Sequence, residues 1–392
     1  MKRWWWWVLV LAACDSGTST PEGTVDDATV APSDRDGGDL DGARPDARPP
    51  RVDASLRDQG RSPDVGRPDA AERDAHLEAD AAIPVDAAPD MGPPPDCSDL
   101  ALPLGAWRDP FDSPITVSAG DPHHSAVEPV VNPGQPFTFD GKFAYGVFSE
   151  DLEGETVEVW LRQVPCGAWE RFANARTNND GRISLAHPGF PEVGTWDFRL
   201  RVPGDDSRAV GRVRVVPPGT QAVVFDVDGT LTIGDSEIFQ EILLGQDPEL
   251  YPGGPDVVGR WAEQGYFIVY LTGRPYFLNP ASRRWLERHN FPDGPLRTTD
   301  SLAEAVPNAG GVQAYKIAWI RHLEMTAGLD FVAAYGNAPT DICAYAQTGI
   351  DVDATWIIGP HGGEACDGFP NTHAVVDYPS HLPALADLPP AR

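Results

Sequence analysis

Ala222-Val223-Val224-Phe225-Asp226-Val227-Asp228-Gly229-Thr230 decides how the rest of the chain is read. Its first four residues are apolar without a break, the pattern of a strand buried on both faces. Two carboxylates, two positions apart, follow at once. Unpaired buried charge is costly, so such a strand end should open onto a site where something positive, commonly a metal, offsets the acids. The chemistry this predicts is magnesium-dependent phosphoryl transfer.

Strands and helices alternate downstream. Helices are predicted over Ser236 to Leu244, Asp256 to Gln264 (with Gly265 as its C-terminal stop), Ala281 to His289, Val312 to Met325, and from about Thr340. Apolar strands are predicted at Tyr266 to Leu271, followed by Thr272-Gly273-Arg274-Pro275, and at Phe331 to Tyr335, followed by Gly336-Asn337. That order implies an α/β domain over residues 218–392, a parallel sheet with flanking helices. Asp226, Thr272 and Asn337 then each stand at the C-terminal end of a strand, where such folds bind ligands.

Roles follow from residue chemistry. Asp226 suits a carboxylate nucleophile that forms an aspartyl phosphate. Asp228 suits the acid that protonates the leaving alcohol and the base that then activates water. Gly229 permits the turn, and Thr230 is expected to orient Asp228. The Thr272 hydroxyl and the Gly273 amide are donors for phosphate oxygens. Lys316 is a point charge for phosphate and nucleophile alike, and one of only three lysines with Lys2 and Lys142. Asp226, the Asp228 carbonyl, Asn337 and Asp341 make an oxygen-rich set suited to magnesium.

Upstream the composition changes twice. Residues 1–13 read as a lipoprotein signal peptide: Lys2 and Arg3, then an apolar run from Trp4 to Leu11 too short to span a bilayer. Leu11-Ala12-Ala13-Cys14 resembles a bacterial lipobox, which makes Cys14 the expected lipidation site. Residues 14–98 read as a disordered acidic tether; positions 15–96 hold no Phe, Trp or Tyr and carry 17 Asp and 3 Glu against 8 Arg. Such a stretch cannot bury enough apolar surface to offset the entropy of ordering it. Residues 99–217 read as a small β-sandwich of immunoglobulin type. There Trp196, Phe198, Leu200 and Val202 alternate with Asp197, Arg199 and Arg201, as a half-buried strand should. His123 and His124 read as exposed loop residues. Chain order favours pairing Cys97 with Cys166 and Cys343 with Cys366, with free thiols left open. A formal charge of −29 argues against a nucleic-acid partner.

The motifs DVDGT, LTGRP, Lys316 and YGNAPTD, in that order, resemble the four motifs of the haloacid dehalogenase superfamily. VVFDVDGTLT, GYFIVYLTGRP, HNFPDG and AAYGNAPTDICAY resemble more narrowly the lipin-type (Lipin/Nir/RdgB C-terminal) domain. The likeness runs upstream through GKFAYG, TNNDGRIS, VGTWDFRLRVPGD and VVPPGT, covering roughly residues 111–360, and is greatest to the Nir/RdgB type. The resemblance implies one of two activities. Lipins keep the paired aspartates and remove phosphate from phosphatidic acid with magnesium. In the transfer proteins the motif is degraded, and the domain is thought to recognise phosphatidic acid without hydrolysis.

Since Asp226 and Asp228 are both present, the expectation is an exported, membrane-anchored lipoprotein acting as a magnesium-dependent phosphatase on phosphatidic acid or a related lipid phosphate. The alternatives are a non-catalytic module that binds phosphatidic acid, and a phosphatase for soluble exported phosphomonoesters.

Overall fold

The computed structural model describes residues 97–146, 149–234, 248–301 and 303–392. The signal peptide, Cys14, nearly all of the expected tether and the helix expected at 236–244 lie outside the described residues.

The first half is built from α1 (Asp112–Val117) and strands β1 (Ser125–Ala126), β2 (Val130–Val131), β3 (Phe137–Lys142), β4 (Ala144–Tyr145), β5 (Glu150–Asp151), β6 (Thr156–Gln163), β7 (Glu170–Arg176), β8 (Arg182–His187), β9 (Gly194–Arg201) and β10 (Arg208–Val215). The two larger sheets have the orders β1-β3-β8 and β2-β10-β9-β6-β7, and β4 pairs with β5 in a third. All pairs are antiparallel except β2 with β10. Phe139 and Ile183 from the first sheet meet Val157, Phe198, Leu200 and Val213 from the second in one apolar core. This is a β-sandwich, as expected.

The alternation in β9 holds for its inward face only. Phe198 and Leu200 are buried, but so are Asp197 and Arg201 on the other. Asp197 accepts from Arg162 at 2.7 Å and Arg212 at 2.9 Å, while Arg201 pairs with Glu158 at 3.0 Å and with Asp206. Cross-strand pairing is what lets these charges leave water. His124 departs from expectation too. Phe143 and Tyr145 pack round its ring, each with its centroid 4.8 Å away, and it is buried rather than exposed.

The second half is a six-stranded sheet of β11 (Gln221–Phe225), β12 (Phe267–Pro275), β13 (Leu296–Thr299), β14 (Asp330–Gly336), β15 (Thr355–Ile358) and β16 (His373–Val375). Its order is β13-β12-β11-β14-β15-β16, and every pair is parallel. Helices α2 (Gly254–Glu263), α3 (Asn279–Arg288), α4 (Ala314–Ala327) and α5 (Pro339–Thr348) cover it, and α6 (Tyr378–His381) follows. The period of two in β11 sorts its side chains between two cores. Val223 and Phe225 join Val258 and Trp261 of α2 and Trp285 of α3. Ala222 and Val224 join Ile320 and Leu323 of α4 and Tyr345 of α5. Each such side chain, fully buried, contributes about 1.5–3 kcal/mol relative to exposure. Gly265, at φ +87°, stops α2 in a conformation that costs glycine nothing. Disulfides join Cys97 to Cys166 and Cys343 to Cys366. Among the described residues no helix is long and apolar enough to cross a membrane.

The halves are joined by buried charge. Glu128 accepts from the Arg214 guanidinium at 3.2 Å, from Arg283 of α3, and from the backbone N–H of Arg212 and Leu296 at 3.0 and 2.9 Å. Asn132 donates to the Ala327 carbonyl at the end of α4, at 2.7 Å.

Candidate functional site

Asp226 follows β11 directly, its backbone N–H donating to the Tyr335 carbonyl at 3.0 Å, so the central strand sets its position. Only 3% of the residue is exposed. One carboxylate oxygen accepts from Lys316 Nζ at 2.7 Å, and the other from Thr230 Oγ1 at 3.0 Å. Lys316 sits in the first turn of α4 and donates as well to Asp341. Burial alone would lower its pKa, but the Asp226 and Asp341 carboxylates outweigh that and hold the ammonium above its ordinary value. For Asp226 burial wins: together with the Asp341 and Asp228 charges it outweighs Lys316 and pushes the pKa up to about 8.

Asp341 is fully buried in the first turn of α5. Its second carboxylate oxygen accepts from the Asn337 and Ala338 amides, both at 3.1 Å. That satisfies orphan donors at the start of the helix, where a negative charge is also favoured by the helix dipole. Gly336 makes the close approach feasible, since a Cβ there would lie 2.6 Å from the Asp341 Cβ. Both Asp341 oxygens are therefore engaged, one by Lys316 and one by backbone. Asp341, an expected magnesium ligand, also positions Lys316 and the Asn337 turn.

Two expectations change partners. Thr230 donates to Asp226 and, at 3.3 Å, towards Asn337 Oδ1, rather than orienting Asp228. Thr272 is fully buried, and its hydroxyl donates to Asp228 at 2.7 Å rather than standing ready for phosphate. Gly273 follows it in β12, half-buried, beside Val312. Asp228 has a second partner that the sequence reading passed over. Arg274 places Nε 2.8 and 3.1 Å from its two oxygens and Nη2 2.7 Å from one of them. Arg274 Nη1 donates to Ser282 of α3, whose hydroxyl donates to the Leu278 carbonyl. The signal was present in LTGRP, where an arginine directly follows the site glycine. The expected residues thus form two groups: Asp226, Thr230, Lys316, Asn337 and Asp341 in one, and Asp228 with Thr272 in the other, where Arg274 joins them.

Asp226 Oδ2 and Asn337 Oδ1 share Thr230 Oγ1 as a neighbour. These are hard oxygen donors of the kind magnesium takes, and the Asp228 carbonyl is the further donor expected from the sequence. Lys316 and Arg274 balance two of the three carboxylates Asp226, Asp228 and Asp341, and a divalent ion would supply the positive charge that holds Asp226 ionised against its burial. Among the described residues, however, no three His, Cys, Asp or Glu side chains gather as a metal site by themselves. The donor set fits a magnesium ion held by one carboxylate, one amide oxygen and one carbonyl.

Residues 122–215 match the family described as the PITM 1-3 beta-sandwich domain, and residues 223–359 the PITM 1-3 LNS2 domain. These matches and the parallel sheet define the class: a PITM-type β-sandwich followed by an LNS2 domain of haloacid-dehalogenase-like fold. The membrane-associated phosphatidylinositol transfer protein 1 of Homo sapiens is 35% identical over 243 residues, 60% of this chain and 18% of that protein. Protein retinal degeneration B of Drosophila melanogaster is 32% identical over 268 residues, 67% of this chain and 20% of that protein. The chain thus spans about a fifth of the length of these relatives.

Proposed function

We propose that the chain binds a lipid phosphate monoester, phosphatidic acid first, at the ends of β11, β12 and β14, and binds it without turnover. The observation that carries this reading is the Asp228–Arg274 pair. Both Asp228 oxygens already accept from Arg274 and Thr272, so serving as a general acid would mean breaking with a buried guanidinium and taking up a proton. The names of the relatives support it, since they describe membrane-associated handling of phosphatidylinositol, although the activity of those much longer proteins belongs to them.

Asp226, Asn337 and the Asp228 carbonyl would hold magnesium. When bound, the ion supplies the positive charge that lets a phosphate dianion approach a site whose own cations are taken by carboxylates. Lys316 orients Asp226 and blunts its charge. Arg274 and Thr272 fix Asp228, and Asp341 anchors the turn that presents Asn337.

A second reading, hydrolysis through an aspartyl phosphate, has one observation in its favour. Asp226 is intact and held by Thr230 and Lys316 as a nucleophile would need to be. Co-sedimentation with phosphatidic acid vesicles, with magnesium or with EDTA, and phosphate release from the same samples separate the two. Binding that EDTA abolishes, with no phosphate released, is the expected result. Asp226→Asn should weaken it at least about tenfold, as expected for loss of a charged ligand. Phosphate release from the vesicles would establish the second reading. Release from soluble esters alone, without vesicle binding, would overturn the lipid assignment.

The same reading places the domain at a membrane through a lipid on Cys14, exported to the periplasmic or cell-surface side. Acyl chains bury methylenes at about 0.8 kcal/mol each, so two or three anchor firmly. Metabolic labelling with a palmitate analogue should mark the wild type and not Cys14→Ala; equal labelling of both would remove the anchor.

A further inference from the structure

A cavity of about 860 Å³ lies where the sandwich meets the α/β domain, walled by β3 and β8 on one side and by β13 and α4 on the other. None of Asp226, Asp228, Lys316, Asn337 or Asp341 lines it. Its size is that of a small-molecule site. Its charge runs against the chain's: 59 acidic against 30 basic residues overall, but here Lys142, Arg176, Arg182 and Arg297 against Asp140 and Asp300.

Its floor holds donors without partners. Arg297 lies over the Trp319 indole, 4.6 Å from the ring centroid, and gives Nη1 and Nη2 to Asp300, yet its buried Nε donates to nothing. Trp319 Nε1 is buried and unpartnered as well. So is the hydroxyl of Tyr315, one turn earlier on α4 and in electrostatic contact with Arg297. Native proteins leave few buried polar atoms unsatisfied, and each such atom costs about 1–3 kcal/mol. Two of these three, on Arg297 and Trp319, belong to residues that line the cavity, and they point to a ligand bearing acceptors. The opposite wall is mixed: Val130, Phe137 and Ile183 supply apolar surface among Asp140, Lys142 and Arg182.

We propose that this cavity is a second ligand site, taking an amphipathic anion. Arg297 and Trp319 hold its phosphate or carboxylate head, and Val130, Phe137 and Ile183 hold its apolar body. The same chemistry is offered by a lysophospholipid and by a soluble alkyl phosphate. The site is independent of the binding proposed at Asp226.

Hydrogen exchange of the whole chain tests it, with decyl phosphate below its micellar concentration as the probe and with decanol and inorganic phosphate as controls. Decyl phosphate should protect residues 137–142 and 182–187, which lie away from Lys316, equally in the wild type and in Asp226→Asn. Trp319→Phe keeps an aromatic ring beside Arg297 and removes the indole donor, and should weaken the apparent affinity about tenfold or more. Arg297→Gln should do the same, and Trp319→Phe stands alone if Arg297→Gln fails to fold. The proposal falls if decyl phosphate gives no protection, or if Trp319→Phe folds and binds unchanged. It falls too if decanol or inorganic phosphate protects as well at the same concentration, or if Asp226→Asn abolishes the effect. Protection that survives Asp226→Asn while phosphatidic acid binding is lost would separate the two sites.

Discussion

Arg274 grips Asp228 with Nε and Nη2 at 2.7 to 3.1 Å, and only 1% of the arginine is exposed. The acid that motif chemistry would send to a leaving group is thereby tied to the strand next door. Arg274→Met should lower unfolding stability by about 2–4 kcal/mol in urea titrations, the range for breaking a buried pair with one partly exposed member. Asp228→Asn in the same chain should restore part of it. A double-mutant cycle giving less than about 0.5 kcal/mol of coupling would mean that the pair is incidental. Arg274→Lys should not substitute, because one ammonium cannot serve two oxygens and Ser282 together.

Lys316 is the counter-ion for two buried acids at once. Replacing it with Met leaves Asp226 and Asp341 facing each other without compensation, a loss of about 3–5 kcal/mol near neutral pH. The sign of the pH dependence follows from the direction of the shift. Burial already raises Asp226 to about 8 with the lysine present, and losing the lysine raises it further. A carboxyl raised above its unfolded value is destabilising where the unfolded chain has lost its proton and the folded one must hold it. Lys316→Met should therefore run parallel to the wild type up to about pH 8 and fall progressively behind it from pH 8 to 10, where the wild type has released the Asp226 proton and the variant still holds it. A deficit that is constant with pH would show that the lysine serves packing alone.

The strand before Asp226 and the order of elements were legible because a fully buried parallel strand leaves an unbroken apolar run, as at Ala222–Phe225. Helix ends were legible where glycine stops them, as at Gly265. Partner choice within the site was not. Whether Thr230 faces Asp226 or Asp228 depends on the turn at Gly229, which has φ +68°. The course of β12 matters as well: its pairing with β13 shifts register between Leu271 and Pro275, bringing Arg274 round to Asp228. Asp341 reads as a ligand from its residue type and spacing. Its backbone partners depend on a helix start that composition does not reveal. Burial of His124 comes from Phe143 and Tyr145 across a turn, with no local periodicity to announce it.

His124 supplies a pH response outside the site. Its Nδ1 accepts from the Ala144 amide at 3.3 Å, which leaves Nε2 to donate to Ser207 at 2.9 Å, so the neutral ring is the one that fits. Burial pushes its pKa down to about 4, against a weaker opposing pull from Asp205. A histidine depressed in the fold contributes stability that is full above the unfolded value near 6.5 and is lost as pH falls towards 4. The expected loss is on the order of 3 kcal/mol across that window. His124→Gln should flatten this part of the profile in thermal melts from pH 7 to 4. An unchanged slope would assign the acid sensitivity elsewhere.

Glu128 joins the two halves of the molecule, so they should unfold as one cooperative body. Its carboxylate is 5% exposed and accepts from Arg214, itself buried in β10, and from Arg283 on α3. Glu128→Gln keeps the shape but turns a neutral amide towards two guanidiniums, leaving buried positive charge short of a partner. The cost should be about 3–5 kcal/mol. It falls on the interface rather than on either core, so calorimetry should show the single transition of the wild type divide into two. Arg283→Met in the same chain should recover part of the loss, since it removes one of the stranded cations while Arg214 keeps Asp293 at 2.9 Å. If the double variant is no more stable than Glu128→Gln, or the transition stays single, Glu128 stabilises the sandwich alone and the halves are held together by the apolar contacts around Val130 and α4.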